Sequence, residues 1–409
     1  MKTVALSLLV AAALSGAPAW KPLFDGKTLK GWKQCNGTAK YVVEQGAIVG
    51  TTAEGSPNSF LCTDRTYGDF VLEFEVKVDP RLNSGVQVRS HQYPADATVR
   101  TFDGQKVVER KQPAGRVYGY QVEISNEQSG AAGGIYDEAR RGWVANIQGD
   151  PVASKAFRDN QWNKYKVEAM GDRIRVTLNG VPAADLVDSM DLEGFIALQV
   201  HSFKGDSPAQ VRWRNIRIQD LGKHAWKPVG DGKTLNGWVK LGGGEWALEN
   251  GAYAGRTAAA EQKRGLLVWN QEWKDFTVRL QYKTVKGNSG VFFRMGDPEN
   301  GTDVNKLGYE IEVDPTRDAG GLQEPGRGAR GWIHHTGPAA QLQYFRPNEF
   351  NELVISAHGG DVTIHVNGVQ TSAVRNDPGR RSGRLAFQLN PRQEIEVHYK
   401  DIAILTAAE

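Results

Sequence analysis

The stretch DGKTLKGW at residues 25–32 returns as DGKTLNGW at residues 231–238. Other pairs follow in the same order along the chain: YGDFVLEFEVKV (67–78) and WKDFTVRLQYKT (273–284), NSGV (83–86 and 288–291), GYQVEI (119–124) and GYEIEV (308–313), RGW (141–143 and 330–332), LNGV (178–181) and VNGV (366–369), ALQV (197–200) and AFQL (386–389). Collinear pairs over this length indicate two copies of one domain. A residue kept in both copies points to the fold or to shared binding, whereas a residue kept in one points to chemistry confined to that copy.

The chain has 409 residues, which is enough for two domains that each bury a core. We predict a signal peptide, a first domain, a linker and a second domain, at residues 1–19, 20–220, 221–226 and 227–409. The leader begins with Lys2, continues with a short apolar run and ends on the small-residue pattern of Ala17 and Ala19. The run is too short for a permanent membrane span, so we expect a periplasmic or secreted protein without one.

Charge and cysteine content narrow the class of protein further. The net charge is +3 with both signs scattered, and the absence of a basic stripe argues against a nucleic-acid partner. The only cysteines are Cys35 and Cys62, and an exported protein favours their pairing in one disulfide. The second copy lacks both cysteines. The disulfide would therefore stabilise the first copy locally and have no chemical role.

Period-two alternation of apolar and polar residues dominates the chain and predicts strands. In 69–78, for example, Phe70, Leu72 and Phe74 share one face and glutamates share the other. Many short strands separated by Gly, Asn and Asp turns predict an all-β fold, with an antiparallel β-sandwich in each copy. The longer stretches 91–116 and 125–160 are predicted to be loops at the rim of a binding face.

Several motifs of the first copy together resemble one family. They are the DGKxLxGW opening, NSGV followed by Arg, GYQVEI, GGIYDEARRGW, QWNKYKV, LNGVPAADL, GFIALQVHS and RWRNIRIQDL. The chain is therefore similar to the 3-keto-disaccharide hydrolase domain family, over essentially all of 20–220 and more loosely over 226–406. The resemblance implies two tandem concanavalin A-like jelly-roll sandwiches. It also implies a carbohydrate substrate, a glycoside already oxidised to a ketone at sugar carbon 3.

Alternation also predicts which polar side chains leave the core. In each of three motifs the apolar residues are predicted to point towards the core. They are the valines of NSGVQVRS, the tyrosine, valine and isoleucine of GYQVEI, and the leucine and valine of ALQVHS. The remaining side chains are predicted to lie together on a concave face: Gln87, Arg89, Gln121, Glu123, Gln199 and His201. Amides, a carboxylate, a guanidinium and an imidazole suit sugar hydroxyls. The alternative is an ordinary solvated sheet face.

The second copy keeps part of this set. Arg89, Glu123 and Gln199 correspond to Arg294, Glu312 and Gln388, whereas Gln87, Gln121 and His201 become Phe292, Glu310 and Asn390. Imidazole titrates near neutrality and asparagine does not. We therefore predict that the first domain is catalytic and that the second is a binding or scaffold copy. His334 and His335 are the alternative source of an imidazole there.

The segment GGIYDEARRGW (133–143) supplies further candidates for substrate binding, namely Tyr136, Asp137, Arg141 and Trp143. Carboxylates such as Asp137 and Glu138 can act as acid, base or metal ligand, an arginine can bind a carboxylate or an enolate, and an indole can stack on a sugar. The alternative is a rim loop held by its own ion pairs.

The ketone that the resemblance implies suggests elimination followed by hydration, which is hydrolysis overall. Such a site needs a base for the C2 proton, a stabiliser for the C3 oxygen and an acid for the leaving oxygen. We assign Glu123 as base, Arg89 as stabiliser and His201 as acid, with the Glu and His roles exchangeable. A divalent cation on Glu123 and His201 is an alternative way to polarise the ketone, and no other cofactor is indicated. The alternative of another class is a lectin-like carbohydrate-binding protein.

Overall fold

The computed structural model describes residues 18–102, 107–205, 207–296, 308–326 and 329–408. Residues 1–17 of the predicted signal peptide lie outside this range, so the leader stays a prediction. Within the described ranges, no helix is long and apolar enough to cross a membrane.

The first half of the chain forms a β-sandwich with one short 3-10 helix at Ala153–Lys155. Its strands are β1 (Lys21–Pro22), β2 (Trp32–Asn36), β3 (Lys40–Glu44), β4 (Ala47–Thr51), β5 (Ser59–Tyr67), β6 (Asp69–Val78), β7 (Ser84–Gln92), β8 (Ala97–Phe102), β9 (Val107–Gln112), β10 (Val117–Ile124), β11 (Ile135–Glu138), β12 (Gly142–Ala145), β13 (Asn163–Met170), β14 (Arg173–Leu178), β15 (Val181–Val187), β16 (Gly194–Val200) and β17 (Gln210–Gly222). One sheet has the order β15-β14-β13-β6-β17-β4-β3, with β1 added on β17, and the facing sheet has the order β12-β11-β10-β7-β16-β5-β2.

The second half repeats this architecture and adds one short helix, α1 (Pro338–Gln341). Its strands are β18 (His224–Pro228), β19 (Trp238–Gly242), β20 (Glu245–Glu249), β21 (Ala252–Thr257), β22 (Gly265–Trp269), β23 (Phe276–Lys286), β24 (Ser289–Met295), β25 (Tyr309–Val313), β26 (Leu322–Glu324), β27 (Gly331–His334), β28 (Asn351–His358), β29 (Asp361–Val366), β30 (Val369–Val374), β31 (Arg384–Leu389) and β32 (Ile395–Ala407). The sheets run β20-β21-β32-β23-β28-β29-β30, with β18 on β32, and β19-β22-β31-β24-β25-β26-β27.

The predicted fold class is confirmed, because every paired strand is antiparallel and each half closes two sheets over its own apolar core. Alternation along β6 explains the packing: Phe70, Leu72 and Phe74 are buried against the facing sheet, and the residues between them are partly exposed. The repeated DGK opening is a turn in both copies. Asp25 accepts hydrogen bonds from the backbone N–H groups of Lys27 and Thr28, at 2.8 and 2.7 Å. The predicted disulfide between Cys35 and Cys62 is present and joins β2 to β5.

Two segments predicted as rim loops contain hairpins. Residues 91–116 hold β8 and β9, which pair only with each other, and residues 125–160 hold β11 and β12, which extend a sheet of the sandwich. Their strands are only four to six residues long and are interrupted by glycine and charged residues, so the alternation is weak. The predicted linker at 221–226 is almost entirely strand, since β17 reaches Gly222 and β18 begins at His224.

Arg89 lies in the interior, where it ties the two sheets of the first sandwich together. Its backbone has a left-handed φ of 47°, and the pairing of β7 with both neighbours shifts register around it. This bulge turns the side chain inward. The guanidinium donates to the carbonyls of Gly68 and Gly171, at 2.8 and 2.6 Å, and pairs with Asp69 at 3.0 Å. The expectation that Arg89 shares an outer face with Gln87 is therefore wrong.

The second copy repeats this arrangement, in which a buried arginine joins the two sheets. Arg294 has a φ of 50° and is fully buried. It donates to the carbonyls of Lys274 and Gly359, which correspond to Gly68 and Gly171. A residue that makes the same contacts in both copies serves the fold.

The two sandwiches contact each other through polar groups. Thr277 Oγ1 donates to Asp172 Oδ2 at 2.7 Å, and Arg141 Nη1 donates to the carbonyl of Gly368 at 2.9 Å. His224, at the start of the second sandwich, lies with Nδ1 2.6 Å from Asp69, the carboxylate that also holds Arg89. Asp69 therefore connects the buried arginine of the first domain to the first strand of the second domain.

We expect Arg89→Met to destabilise the first domain by about 3–5 kcal/mol, because it leaves the Asp69 carboxylate buried without its guanidinium. Urea unfolding followed by tryptophan fluorescence measures this loss. The matched control is Arg217→Met, which breaks an ion pair to Glu73 on the outer face, where the arginine side chain is 47% exposed, and should cost less than about 1 kcal/mol. Wild-type stability of Arg89→Met would contradict the structural role.

Candidate active site on the outer face of the first domain

A row of polar side chains crosses three neighbouring strands on the face of the β7–β10–β16 sheet that points away from the core. Gln121 of β10 is paired with Gln87 of β7, and Glu123 of β10 and Gln199 of β16 both lie opposite Gly85 of β7. Residues opposite each other in a sheet project from the same face, so the sequence-predicted glutamines and Glu123 are brought together. All four are almost fully buried.

Hydrogen bonds join these side chains into one chain that ends on the carboxylate. Gln87 and Gln199 donate through Nε2 to Gln121 Oε1, at 2.8 and 2.7 Å. Gln121 Nε2 donates to Glu123 Oε2 at 3.2 Å, and Asn83 Nδ2 donates to Glu123 Oε1. The Oε1 atom of Gln199 is buried and has no hydrogen-bond partner among the described residues.

The repeated NSG motif builds this arrangement through three different contacts. Asn83 holds Glu123, and Ser84 Oγ donates to the carbonyl of Gln199 at 2.7 Å. At Gly85, an added Cβ would lie 2.4 Å from the side chain of Gln121, so only glycine leaves room for it. The second copy repeats all three contacts, which explains why the motif is kept.

Glu123 is the titratable group at the centre of the face. Burial raises its pKa to about 7, although the hydrogen bonds from Asn83 and Gln121 act in the opposite direction and the charge of Glu138 adds to the rise. A carboxyl with this pKa exchanges its proton near neutral pH and is a stronger base than an exposed glutamate.

Strand β11 adds two side chains to the same face. Tyr136 lies opposite Gln121, and Glu138, two residues on, projects on the same side. Glu138 Oε1 accepts hydrogen bonds from Arg116 and, at 3.3 Å, from Asn58. Sequence reasoning named Glu138 as a possible acid, base or metal ligand but not as a member of this face, and it did not single out Asn58, Asn83 or Arg116. The alternation within IYDE was the available signal for Glu138, the repeated NSGV motif was the signal for Asn83, and nothing in the sequence marked the other two.

Asp137 and Arg141, predicted to bind substrate, project from the opposite side of β11 and its turn. Asp137 is fully buried and accepts from Arg140 Nε at 2.9 Å and from Arg141 Nε at 2.6 Å. Arg141 also pairs with Asp188 at 2.7 Å. In the second copy, Arg330 forms the same pairs with Glu324 and Asp377. The alternative reading, a segment held by its own ion pairs, describes these residues correctly.

His201 and Trp143 lie at two edges of the face. His201 follows the last residue of β16 and is partly exposed, with Nδ1 2.8 Å from the carbonyl of Ser202. Continuing the register of β16 and β7 places it beside Asn83, and its counterpart Asn390 does bond the counterpart Asn288, at 3.0 Å. Trp143 of β12 lies opposite Tyr136 and is 39% exposed.

Comparison with known families gives a match in each half of the chain. The model of the 3-keto-alpha-glucoside-1,2-lyase-like domain matches residues 19–219 and again residues 225–405. The chain belongs to this family. Membership makes it a carbohydrate-active protein with two tandem family domains. A comparison with curated proteins found no match.

Solved structures with a similar fold each cover about half of the chain. A candidate glycosyl hydrolase of Parabacteroides distasonis is 18% identical over 49% of this chain and 94% of its own, with a TM-score of 0.33. The carbohydrate-binding module CBM66 of Bacillus subtilis is 19% identical over 46% and 95%, with a TM-score of 0.27. A galectin-like protein of unknown function from Bacillus subtilis is 12% identical over 50% and 96%, with a TM-score of 0.34. Likenesses this weak imply nothing about function.

The second lyase-like domain has a different surface at the equivalent place. Gln87 is replaced by Phe292, which packs in an apolar cluster with Leu266 and Val268. Glu310 replaces Gln121 and accepts from Gln388 at 2.7 Å, while Glu312 accepts from Asn288 at 3.1 Å. Burial raises the pKa of Glu310 to about 7 and, with the neighbouring carboxylates, that of Glu312 to about 8.

Three side chains of the first domain have no chemical equivalent in the second. Tyr136 becomes Gln323, and His201 becomes Asn390. By the same register, Glu138 falls at Pro325. Throughout the described parts of the chain, no three His, Cys, Asp or Glu side chains are grouped to hold a metal ion.

Proton titration of labelled glutamate carboxyls should show three midpoints near neutral pH, which belong to Glu123, Glu310 and Glu312. Below its midpoint each carboxyl keeps its proton, and above it each is charged. NMR of protein carrying ¹³C at the glutamate side-chain carboxyl measures these midpoints.

Glu123→Gln should remove one midpoint and leave the other two, and Glu310→Gln should remove one and lower that of Glu312, because the charge of Glu310 raises it. Titration of Glu123 with ordinary glutamates would show that the face is open to bulk water.

Proposed function

We propose that the first domain cleaves 3-keto-glycosides by elimination followed by addition of water, with net hydrolysis. The observation that supports this most is Glu123, a buried carboxyl whose pKa is raised to about 7 and whose two oxygens are held by Asn83 and Gln121. The family description names a 1,2-lyase. This agrees with the loss of a proton from C2 and of the glycosidic oxygen from C1.

Glu123 acts as the base in this proposal. A ketone at C3 acidifies the C2–H bond, so a carboxylate takes the proton and the electron pair passes to the C3 oxygen as an enolate. Collapse of the enolate restores the ketone, forms a C1–C2 double bond and expels the glycosidic oxygen. Water then adds its oxygen to C1 and its proton to C2, which gives the free 3-keto sugar.

The leaving oxygen needs a proton, for which two groups are available. His201 remains the first assignment, because it adjoins Asn83, the residue that holds Glu123, and imidazole titrates near neutral pH. Glu138 is the second, since it lies on the same face, and it donates only in its protonated form. We do not assign Arg89 as enolate stabiliser, because its guanidinium is fully buried and paired with Asp69. Arg116, which donates to Glu138, is the guanidinium proposed for that role.

Absence of this set from the second domain supports its role as a binding or scaffold copy. It keeps the frame of Asn288, Glu312 and Gln388 but has no equivalent of the Tyr136, Glu138 and His201 side chains. We further propose, from the leader at residues 1–19, that the protein is exported to the periplasm or secreted.

A carbohydrate-binding protein without turnover is the second candidate. The observation that favours it is the closed bonding of the glutamine row, in which Gln121 accepts from both Gln87 and Gln199. A rigid amide surface of this kind suits the recognition of sugar hydroxyls. Turnover of a 3-keto-disaccharide separates the two candidates directly.

We expect Glu123→Gln to reduce turnover of a 3-keto-disaccharide by about 10²–10⁴-fold, because the amide cannot accept the C2 proton. The matched control is Glu312→Gln at the equivalent position of the second domain, which should leave kcat unchanged. Steady-state kinetics, with binding of the unoxidised disaccharide measured separately, distinguishes loss of chemistry from loss of binding.

His201→Asn converts the first domain to the second-domain residue and should lower kcat by a similar factor if His201 is the acid. Full activity of His201→Asn together with loss in Glu138→Gln would transfer that role to Glu138. Full activity of Glu123→Gln and loss in Glu312→Gln would place the chemistry in the second domain instead.

A further inference from the structure

A cleft of about 510 Å³ lies between the two domains, within the range of small-ligand sites. Strand β12 and the hairpin β8–β9 line it from the first domain, and residues 342–346 and 365–370 line it from the second. Trp143 connects it to the face of the candidate active site, and Arg141 lines it from the opposite side of that sheet.

Exposed apolar side chains gather in this cleft. Trp143, Met190 and Leu342 are 39%, 43% and 83% exposed, and all three line it. The indole of Trp143 is held edge-on by Tyr136, with ring centroids 5.4 Å apart. An indole fixed in this way, with one side open, offers a flat surface to the apolar face of a sugar ring.

The polar row is connected to the cleft by one track of side chains, which ends on Trp143. Gln121, Tyr136 and Trp143 are successive cross-strand partners on β10, β11 and β12 and project from one face. Strands in a sheet are about 4.8 Å apart, so the track from Gln121 to Trp143 covers about 10 Å. The hairpin borders both ends, since Arg110 is close enough to Tyr136 to influence its pKa and Val99 lines the cleft.

The second domain supplies hydrogen-bonding groups at the far end of the track. Gln343, Arg346 and Gln370 line the cleft, and none of their side chains forms a hydrogen bond or ion pair within the described residues. Amide and guanidinium groups that are not bonded within the protein are available to ligand hydroxyls.

We propose that the substrate is an oligosaccharide whose units beyond the cleaved bond pass over Tyr136 and Trp143 into this cleft, where the second domain binds them. The inference rests on the proposed function for the identity of the reacting end. It gives the second domain a direct role in substrate recognition and makes the interface between the domains part of the binding site.

Calorimetric titration with unoxidised maltose- and cellobiose-series oligosaccharides, from disaccharide to hexasaccharide, tests the proposal without requiring turnover. In one of the two series, the affinity should rise with the number of sugar units. Trp143→Ala in the first domain and Arg346→Ala in the second should each weaken the longest ligand by roughly tenfold and leave the disaccharide unaffected. Trp162→Ala, immediately before β13 of the other sheet, is the matched control and should change nothing.

Affinity that does not rise with length in either series, or that survives both substitutions, overturns the proposal. If 3-keto-disaccharide is cleaved but length has no effect, this inference fails and the proposed function stands. If length-dependent binding is lost in Trp143→Ala but no 3-keto-glycoside is cleaved, the cleft binds glycan and the proposed catalysis fails.

Discussion

Each sandwich depends on a buried guanidinium that joins its two sheets. Arg89 and Arg294 lie on the central strands β7 and β24, in a left-handed backbone conformation that ordinary side chains rarely adopt. In both copies the guanidinium donates to carbonyls of turns beside the opposite sheet, and these hydrogen bonds stabilise the conformation. The resulting bulge breaks the alternation of side chains, so Gln87 faces the outer surface and Arg89 faces inward.

That reversal sets the composition of the candidate site. Gln87, two residues before the bulge, projects outward and meets Gln121, and Arg89 is directed to Asp69 and not to the outer face. Burial raises the pKa of Glu123 to about 7. The bulge that stabilises the fold thus also keeps a guanidinium off the face that carries this carboxyl.

Comparison of the two domains distinguishes the residues that both keep for the fold from the residues that only the first domain has. Both retain the buried arginine that joins the sheets, the NSG motif, a glutamate and a glutamine at matching positions, and ion pairs around the RGW arginine, Arg141 or Arg330. The first domain alone adds Tyr136, Glu138 and His201. Duplication therefore preserved the scaffold in both halves and left the groups suited to acid–base chemistry in one.

Much of this organisation was predictable from sequence. Repeated sequence motifs indicated the duplication, and period-two alternation predicted the strands. The alternation within three of those strands predicted the glutamine row. Arg89 was misplaced because alternation assumes an unbroken pleat, and a bulge at one residue inverts everything after it. Glu138 was undervalued because β11 is only four residues long, too short for its period to be distinguished from a loop.

The cleft between the domains had no sequence signature. Its lining comes from residues that are far apart in the chain and meet only when the sandwiches pack. Sequence comparison of the copies could identify the second domain as different, but the contacts that place its residues 342–346 near Trp143 depend on tertiary structure. Recognition across two domains is in this sense a property of the fold and not of any motif.

The central claim is that Glu123 removes the proton on C2 of a 3-keto sugar. Incubation of a 3-keto-disaccharide in heavy water, with NMR of the released sugar, tests this most directly. The account predicts deuterium at C2 of the product, introduced when solvent adds back across the double bond, and loss of both product and exchange in Glu123→Gln. Release of the sugar with its original C2 hydrogen fully retained would contradict the account and indicate direct hydrolysis at C1.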